Sequence, residues 1–171
     1  MHANILKPLA LVLVVTVLAA AGTGVHADAA EPPPAAPDFV LKATDGYNYR
    51  LSEYRGEVVA LVFWASWCGA CRRELERLSE LRGIYGDAGL QVLAVAVDED
   101  AQAAAAVARS TGAGYPVLHD AASNVSRAYA LESLPMTLLI DRAGRVRSAH
   151  GELDAAGGRQ LLGELRTLLD E

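Results

Sequence analysis

The chain has 171 residues, 52% of them hydrophobic and 21% charged, with Lys+Arg 15 against Asp+Glu 21 and a formal net charge of -6. That length suits one domain whose core needs no disulfide scaffold, and the apolar content excludes disorder for the bulk of the chain. The acidic balance argues against a nucleic-acid binder, which needs a basic face to neutralise phosphates.

Met1 to Lys7 is mildly basic, and Leu9 to Ala21 is apolar apart from Thr16. Val25-His26-Ala27 and Ala27-Asp28-Ala29 then place small residues at the spacing that a signal peptidase reads. Residues 1–27 therefore read as a signal peptide. The alternative is an uncleaved anchor, since Ile5 to Val25 is about the 20 residues that a bilayer requires. Either way the remainder is exported. Residues 28–37 contain EPPPAAP and read as a Pro-rich linker, because each proline removes an amide donor and fixes φ. The folded domain is expected over residues 38–171.

Phe39-Val40-Leu41 and Tyr49-Arg50-Leu51 flank Asp45-Gly46 and predict an N-terminal hairpin. Val58 to Trp64 is a nearly continuous apolar run, suited to a strand buried on both faces. A helix is predicted from about Cys68 to Tyr85, with Leu75, Leu78 and Leu81 inward and Arg72, Arg73 and Arg77 exposed. Gln91 to Val97 is a second buried strand. Ala101 to Arg109 is a helix capped by Asp98 or Asp100 and closed by Gly112. Pro116 to Leu118 is a short strand and Asn124 to Ala130 a short helix. Met136 to Ile140 and Val146 to His150 form a hairpin around Asp141-Arg142-Ala143-Gly144. The last helix carries Leu161, Leu162, Leu165, Leu168 and Leu169 as one apolar stripe. Strand–helix–strand units followed by a hairpin and a terminal helix make an α/β three-layer domain.

Trp67-Cys68-Gly69-Ala70-Cys71 lies where a buried strand hands over to a helix. Two residues three apart on a helix turn fall within the Cα span of a disulfide, about 4.4–6.8 Å. Cys68, at the helix start, meets unpaired amides and the positive end of the macrodipole, which lower a thiol pKa. Cys71, one turn further in, is expected buried and protonated until it attacks a mixed disulfide. That supplies an attacking and a resolving sulfur for reversible exchange. A structural bridge closing so short a loop removes little unfolded-state entropy. A zinc site would need a further Cys/His pair at ligand spacing, and only His119 and His150, far apart in sequence, are available. CxxC beside a βαβ pattern reads as redox chemistry.

The run from Phe63 to Leu75 resembles the active-site segment of the thioredoxin-like superfamily, and more narrowly of exported TlpA/ResA/DsbE-type thiol–disulfide oxidoreductases. Val95-Ala96-Val97-Asp98-Glu99, Tyr115-Pro116-Val117-Leu118 and Leu134 to Asp141 followed by Gly144 are similar to further stretches of that group. The resemblance implies a thioredoxin-like three-layer α/β/α domain with an N-terminal β-hairpin extension and a mixed central sheet. It implies a cis peptide before Pro135, with Leu134 and Pro135 facing the sulfurs and offering backbone groups to an extended substrate. Ser133 stands where the family commonly has glycine or a similar small residue, a mild departure.

It also implies that Glu74 tunes the cysteine pKa values and assists proton transfer. The alternatives for Glu74 are a first-turn carboxylate favoured by the dipole or an ion pair with Arg77. In thioredoxins an acidic residue on the preceding strand accepts the proton, and Val62 stands at that position here. Asp98, Glu99 and Asp100 read as helix capping, Trp64 as core, and Trp67 as a lip of the substrate groove. No cofactor and no metal ligand set is implied.

Gly69-Ala70 carries neither charge nor histidine to stabilise the Cys68 thiolate, which points to a reductant of protein disulfides or a mild exchanger rather than a general oxidase. An exported reductant faces an oxidising compartment, the bacterial periplasm. The resemblance implies a membrane electron donor of the DsbD/CcdA type and substrates such as apocytochrome c thiols in cytochrome c-type biogenesis. A monomer is expected. The alternative is an exported copper-binding, metallochaperone-type thioredoxin-like protein using the cysteine pair and a distant histidine. A peroxidase of the peroxiredoxin type is disfavoured, because those enzymes carry their reactive cysteine in a different motif.

Overall fold

The computed structural model describes residues 32–171. The signal-peptide reading of residues 1–27, and residues 28–31 of the expected linker, lie outside the described residues. A central sheet of five strands runs in the order β5-β4-β3-β6-β7, and a separate two-stranded hairpin, β1-β2, precedes it. The hairpin strands are β1 (Val40–Lys42) and β2 (Asn48–Arg50). The sheet strands are β3 (Val58–Trp64), β4 (Leu90–Ala96), β5 (Val117–His119), β6 (Met136–Ile140) and β7 (Val146–His150). Among them lie helices α1 (Gly69–Tyr85), α2 (Ala101–Ser110), α3 (Asn124–Ala128) and α4 (Ala155–Asp170).

β3, β4 and β5 are parallel neighbours, whereas β6 and β7 pair antiparallel. Two right-handed crossovers taken in the same direction place α1 and α2 on one face. There Leu75, Leu78, Ala104, Ala108, Leu161 and Leu165 pack on Val58, Ala60, Val62 and Trp64. The return to β6 runs over the other face, where Phe39, Leu51 and Val125 cover Val59, Leu61 and Phe63. All seven residues of β3 are buried, which is why that strand shows no polar alternation. This is the thioredoxin-like arrangement that the resemblance implies, with one face thick in helix and the other covered by the hairpin and the short α3. Among the described residues, no helix is long and apolar enough to cross a membrane.

Each sheet edge is met by the N-terminal part of the described chain. Thr44 donates its amide to Val117 O at 2.9 Å and Ala43 bridges Leu118, so the hairpin sits against β5. At the other edge, the part of the expected linker that is described lies against the β6–β7 turn. Ala36 N donates to Gly144 O, Val146 N to Pro34 O and the Arg145 guanidinium to Pro33 O, each at 2.9 Å. The packed chain therefore begins ahead of Asp38. Prolines cannot donate to a ladder, but their carbonyls accept, and that suffices at an edge.

Other differences are local. Leu51 opens a 3-10 turn, Leu51–Tyr54, because the Asp38 carboxylate accepts from the Ser52 amide and hydroxyl, both at 2.9 Å. α3 stops at Ala128, and Ala130 takes a positive φ of 48°. β7 carries an irregularity: Leu139 faces Ser148 but Ile140 faces Val146, so Arg147 is bulged out. The bulge turns Ser148 and His150 to the face covered by α1 and α4.

Candidate active site

Cys68 is the N-cap of α1, and its sulfur accepts a hydrogen bond from the Cys71 amide at 3.1 Å. The two cysteines form a disulfide with a Cα–Cα distance of 5.2 Å. Their surroundings are unequal. Cys68 is half-buried at the helix start, whereas Cys71 is fully buried against β3 and α1. Trp67, beside Cys68, is 74% exposed, and Trp64 is buried in the core. An exposed indole next to a half-exposed sulfur offers an apolar contact to an incoming chain.

The loop that carries Trp67 and Cys68 is held from β4. Asp98, buried just past the end of β4, accepts the Ser66 amide with both carboxylate oxygens at 3.0 Å and also accepts the Ser66 hydroxyl. The Asp98 carbonyl in turn contacts His119 Nε2 at 2.7 Å. Of the acidic run, Asp100 caps α2 through the Gln102 amide at 2.8 Å, so Asp98 is free for this second task. The sequence gives Asp98 no separate signal, since capping explains any acid at that place.

The Leu134–Pro135 peptide bond is cis. The β3–β6 ladder ends at the pair Phe63 and Met136, so Pro135 stands beside the end of β3 from which the cysteine loop departs. Pro135 is buried, Leu134 packs half-buried against both core clusters, and Ser133 is exposed.

Glu74 is 3% exposed on the inner face of α1, one turn beyond Cys71. Its Oε1 accepts from the Thr137 hydroxyl at 3.1 Å, and its Oε2 lies 3.7 Å from Arg77 Nη1. Burial pushes the Glu74 carboxyl up from its ordinary value; the charge of Arg77, the Thr137 hydroxyl and His150 oppose the rise without cancelling it. Arg77 is not exposed as expected. Its side chain is 32% accessible and turns inward to the carboxylate. Gly158 of α4 leaves the space for this, because a Cβ there would lie 3.0 Å from Arg77 Nη1.

Thr137, directly opposite Val62 on one side, has His150 as its partner on the other. His150 is 9% exposed, and its Nε2 contacts Glu164 Oε2 of α4 at 2.7 Å and Ser148 Oγ at 3.2 Å. Burial works against the Glu164 charge, but hydrogen bonds from Ser148, Gln160 and His150 outweigh it and hold this carboxyl below its usual range. His119 and His150 thus sit on opposite edge strands, each hydrogen-bonded, and among the described residues no three His, Cys, Asp or Glu side chains form a metal-binding group. A cleft of about 430 Å³ lined in part by Asp38, Phe39, Val125 and Tyr129 touches none of Cys68, Cys71, Glu74 or Pro135.

Residues 34–149 match the AhpC/TSA family. The chain is 42% identical over 112 residues to the thiol-disulfide oxidoreductase ResA of Geobacillus kaustophilus, covering 66% of this chain and 64% of that protein. It is 35% identical over 111 residues to ResA of Bacillus subtilis, covering 65% of this chain and 62% of that one. The chain therefore spans just under two thirds of the length of these relatives. Among solved structures, a Chlorobium tepidum protein described as a candidate thiol:disulfide interchange protein DsbE superposes with a TM-score of 0.76 at 33% identity. That match covers 80% of this chain and 96% of the other.

Proposed function

Because the chain belongs to the AhpC/TSA family and carries its two cysteines on a thioredoxin-like fold, we propose that it is an exported thiol–disulfide oxidoreductase that reduces disulfides of other proteins. The observation that carries this reading is the inequality of the two sulfurs within one helix turn. In the reduced protein, the Cys68 thiolate is stabilised by the helix start and the Cys71 amide. It attacks a substrate disulfide, forming a mixed disulfide and releasing one substrate thiolate. Cys71 then loses its proton and attacks Cys68 Sγ; the intramolecular bond forms, the mixed bond breaks, and the second substrate sulfur leaves with the electron pair. Two protein sulfurs are oxidised and two substrate sulfurs reduced.

Glu74 is the carboxyl suited to take the Cys71 proton, since it is buried, next along the helix face, and raised in pKa. Trp67, Leu134 and Pro135 form the lip against which an extended substrate lies. The relatives named ResA and the DsbE-type structure support protein disulfide exchange as the chemistry, and the apolar N-terminal segment supports substrates that are disulfides of exported proteins, such as apocytochrome c, in the periplasm. A reductant there needs electrons from a membrane donor of the DsbD/CcdA type. Pairing of both cysteines in one turn favours disulfide exchange over peroxide reduction.

Equilibration with glutathione should give a potential nearer to thioredoxin, about −270 mV, than to DsbA, about −120 mV. A value at the oxidising end would make oxidase the better reading. Cys71→Ser should accumulate mixed disulfides with exported CxxC proteins, and capture of none in cells that hold such proteins would reject the substrate class.

A further inference from the structure

We propose that His150 is a positioning residue for disulfide exchange, its charge deciding whether the Glu74 carboxyl behind the cysteine pair stands ready as a carboxylate. The inference rests on the reading of Glu74 as acceptor of the Cys71 proton. It starts from the row Val62–Thr137–His150, which runs straight across β3, β6 and β7. Side chains directly opposite in such a row share a face and stand about 4.5–5.5 Å apart at Cβ. Helices α1 and α4 cover that face. α1 places Glu74 on Thr137, at 3.1 Å, and α4 places Glu164 on His150, at 2.7 Å.

A core this apolar gains nothing from a buried imidazole unless the imidazole is partnered, and burying ionisable groups costs free energy. Here the partners form a set. Glu164 contacts His150 from α4, β7 itself contributes Ser148, and β6 contributes the uncharged Thr137, on whose hydroxyl α1 sets Glu74 with Arg77 paired behind it. Arg77 favours the Glu74 carboxylate whatever the pH, and a protonated His150 adds to it, keeping a carboxylate that can accept a proton. With His150 neutral that added share is lost and burial pushes Glu74 further toward the acid, which cannot. In the resolving step the proton leaves Cys71 Sγ for Glu74, the Cys68–Cys71 bond forms, and the substrate sulfur departs with its electron pair. Glu164, with its side chain 33% exposed, places the outer end of the set at solvent.

The test is the rate of mixed-disulfide resolution against pH in the full chain, for His150→Gln, Glu74→Gln and the double variant. Gln can keep a hydrogen bond to Glu164 but carries no charge. His150→Gln should move the acid limb of the profile upward by about one pH unit, hence slow exchange up to about tenfold on that limb. The same substitution should change nothing further in the Glu74→Gln background. A purely structural histidine would lower the denaturation midpoint and leave the profile in place, which would overturn the inference. So would equal effects in both backgrounds. A Glu74→Gln variant with an unaltered profile would instead reject the reading of Glu74, and this inference with it. If His150→Gln does not fold, NMR titration of the unsubstituted protein decides. A shared inflection of the His150 ring and the Glu74 carboxyl supports the coupling, and independent inflections overturn it.

Discussion

The Glu74 carboxyl is held where water is scarce, and its pH behaviour is the most direct check on that environment. Its native pKa is raised, so below the ordinary carboxylate range both folded and unfolded chains carry the proton. As pH rises from about 4, the unfolded chain ionises first, and the folded state loses stability relative to it until the native carboxyl ionises too. Glu74→Gln removes this loss. Its denaturation midpoint, measured against the unsubstituted protein in urea, should gain as pH rises from about 4 until the native carboxyl ionises, and then level off. A difference that stays flat or shrinks from about pH 4 upward would show that the carboxyl is not raised. The pair Cys68 and Cys71 was legible in the sequence because two cysteines at that spacing beside a buried strand leave few other roles. Thr137 and His150 were not. A threonine within MTLLI and a histidine at a strand end look like edge polarity until the sheet register sets them opposite each other.

At the scale of elements, the apolar runs and turn residues specified most strands and helices to within a residue or two. The boundaries that moved did so for side-chain reasons that periodicity does not carry. Asp38 captured Ser52 and ended β2, and the β7 bulge re-aimed Ser148 and His150. The contact between the β4–α2 connection and the cysteine loop is of the same kind, joining residues 32 apart in sequence. Asp98→Ala leaves the Ser66 amide and hydroxyl without their acceptor. The expected cost is about 1–3 kcal/mol, the usual penalty for orphaning a buried polar group, read from the urea midpoint. Exchange should slow as well, because the Ala65–Trp67 loop that presents Cys68 loses its tie. A variant as stable and as fast as the parent would show that the loop is held by β3 and α1 alone.

At the scale of the whole molecule, the sequence placed the folded boundary at Asp38, and the structure extends the packed chain back toward Pro32. Proline content argued correctly against helix and central strand, but it is silent on acceptors, and acceptors are what the β6–β7 turn needed. A chain beginning at Asp38 loses four hydrogen bonds relative to one beginning at Pro32, the fourth being that of the Tyr129 hydroxyl to Pro37 O, worth about 2–6 kcal/mol together at 0.5–1.5 each. Comparing the urea midpoints of the two chains checks this, and equal midpoints would return Pro32–Pro37 to the role of a spacer. The same strap has a directional consequence. The Asp141–Arg145 turn that it grips lies at the Val59 end of β3, whereas the cysteine loop leaves the Trp64 end. Residues 33–36 are therefore fastened at the pole opposite the sulfurs, and the length of β3 separates that fastening from the chemistry.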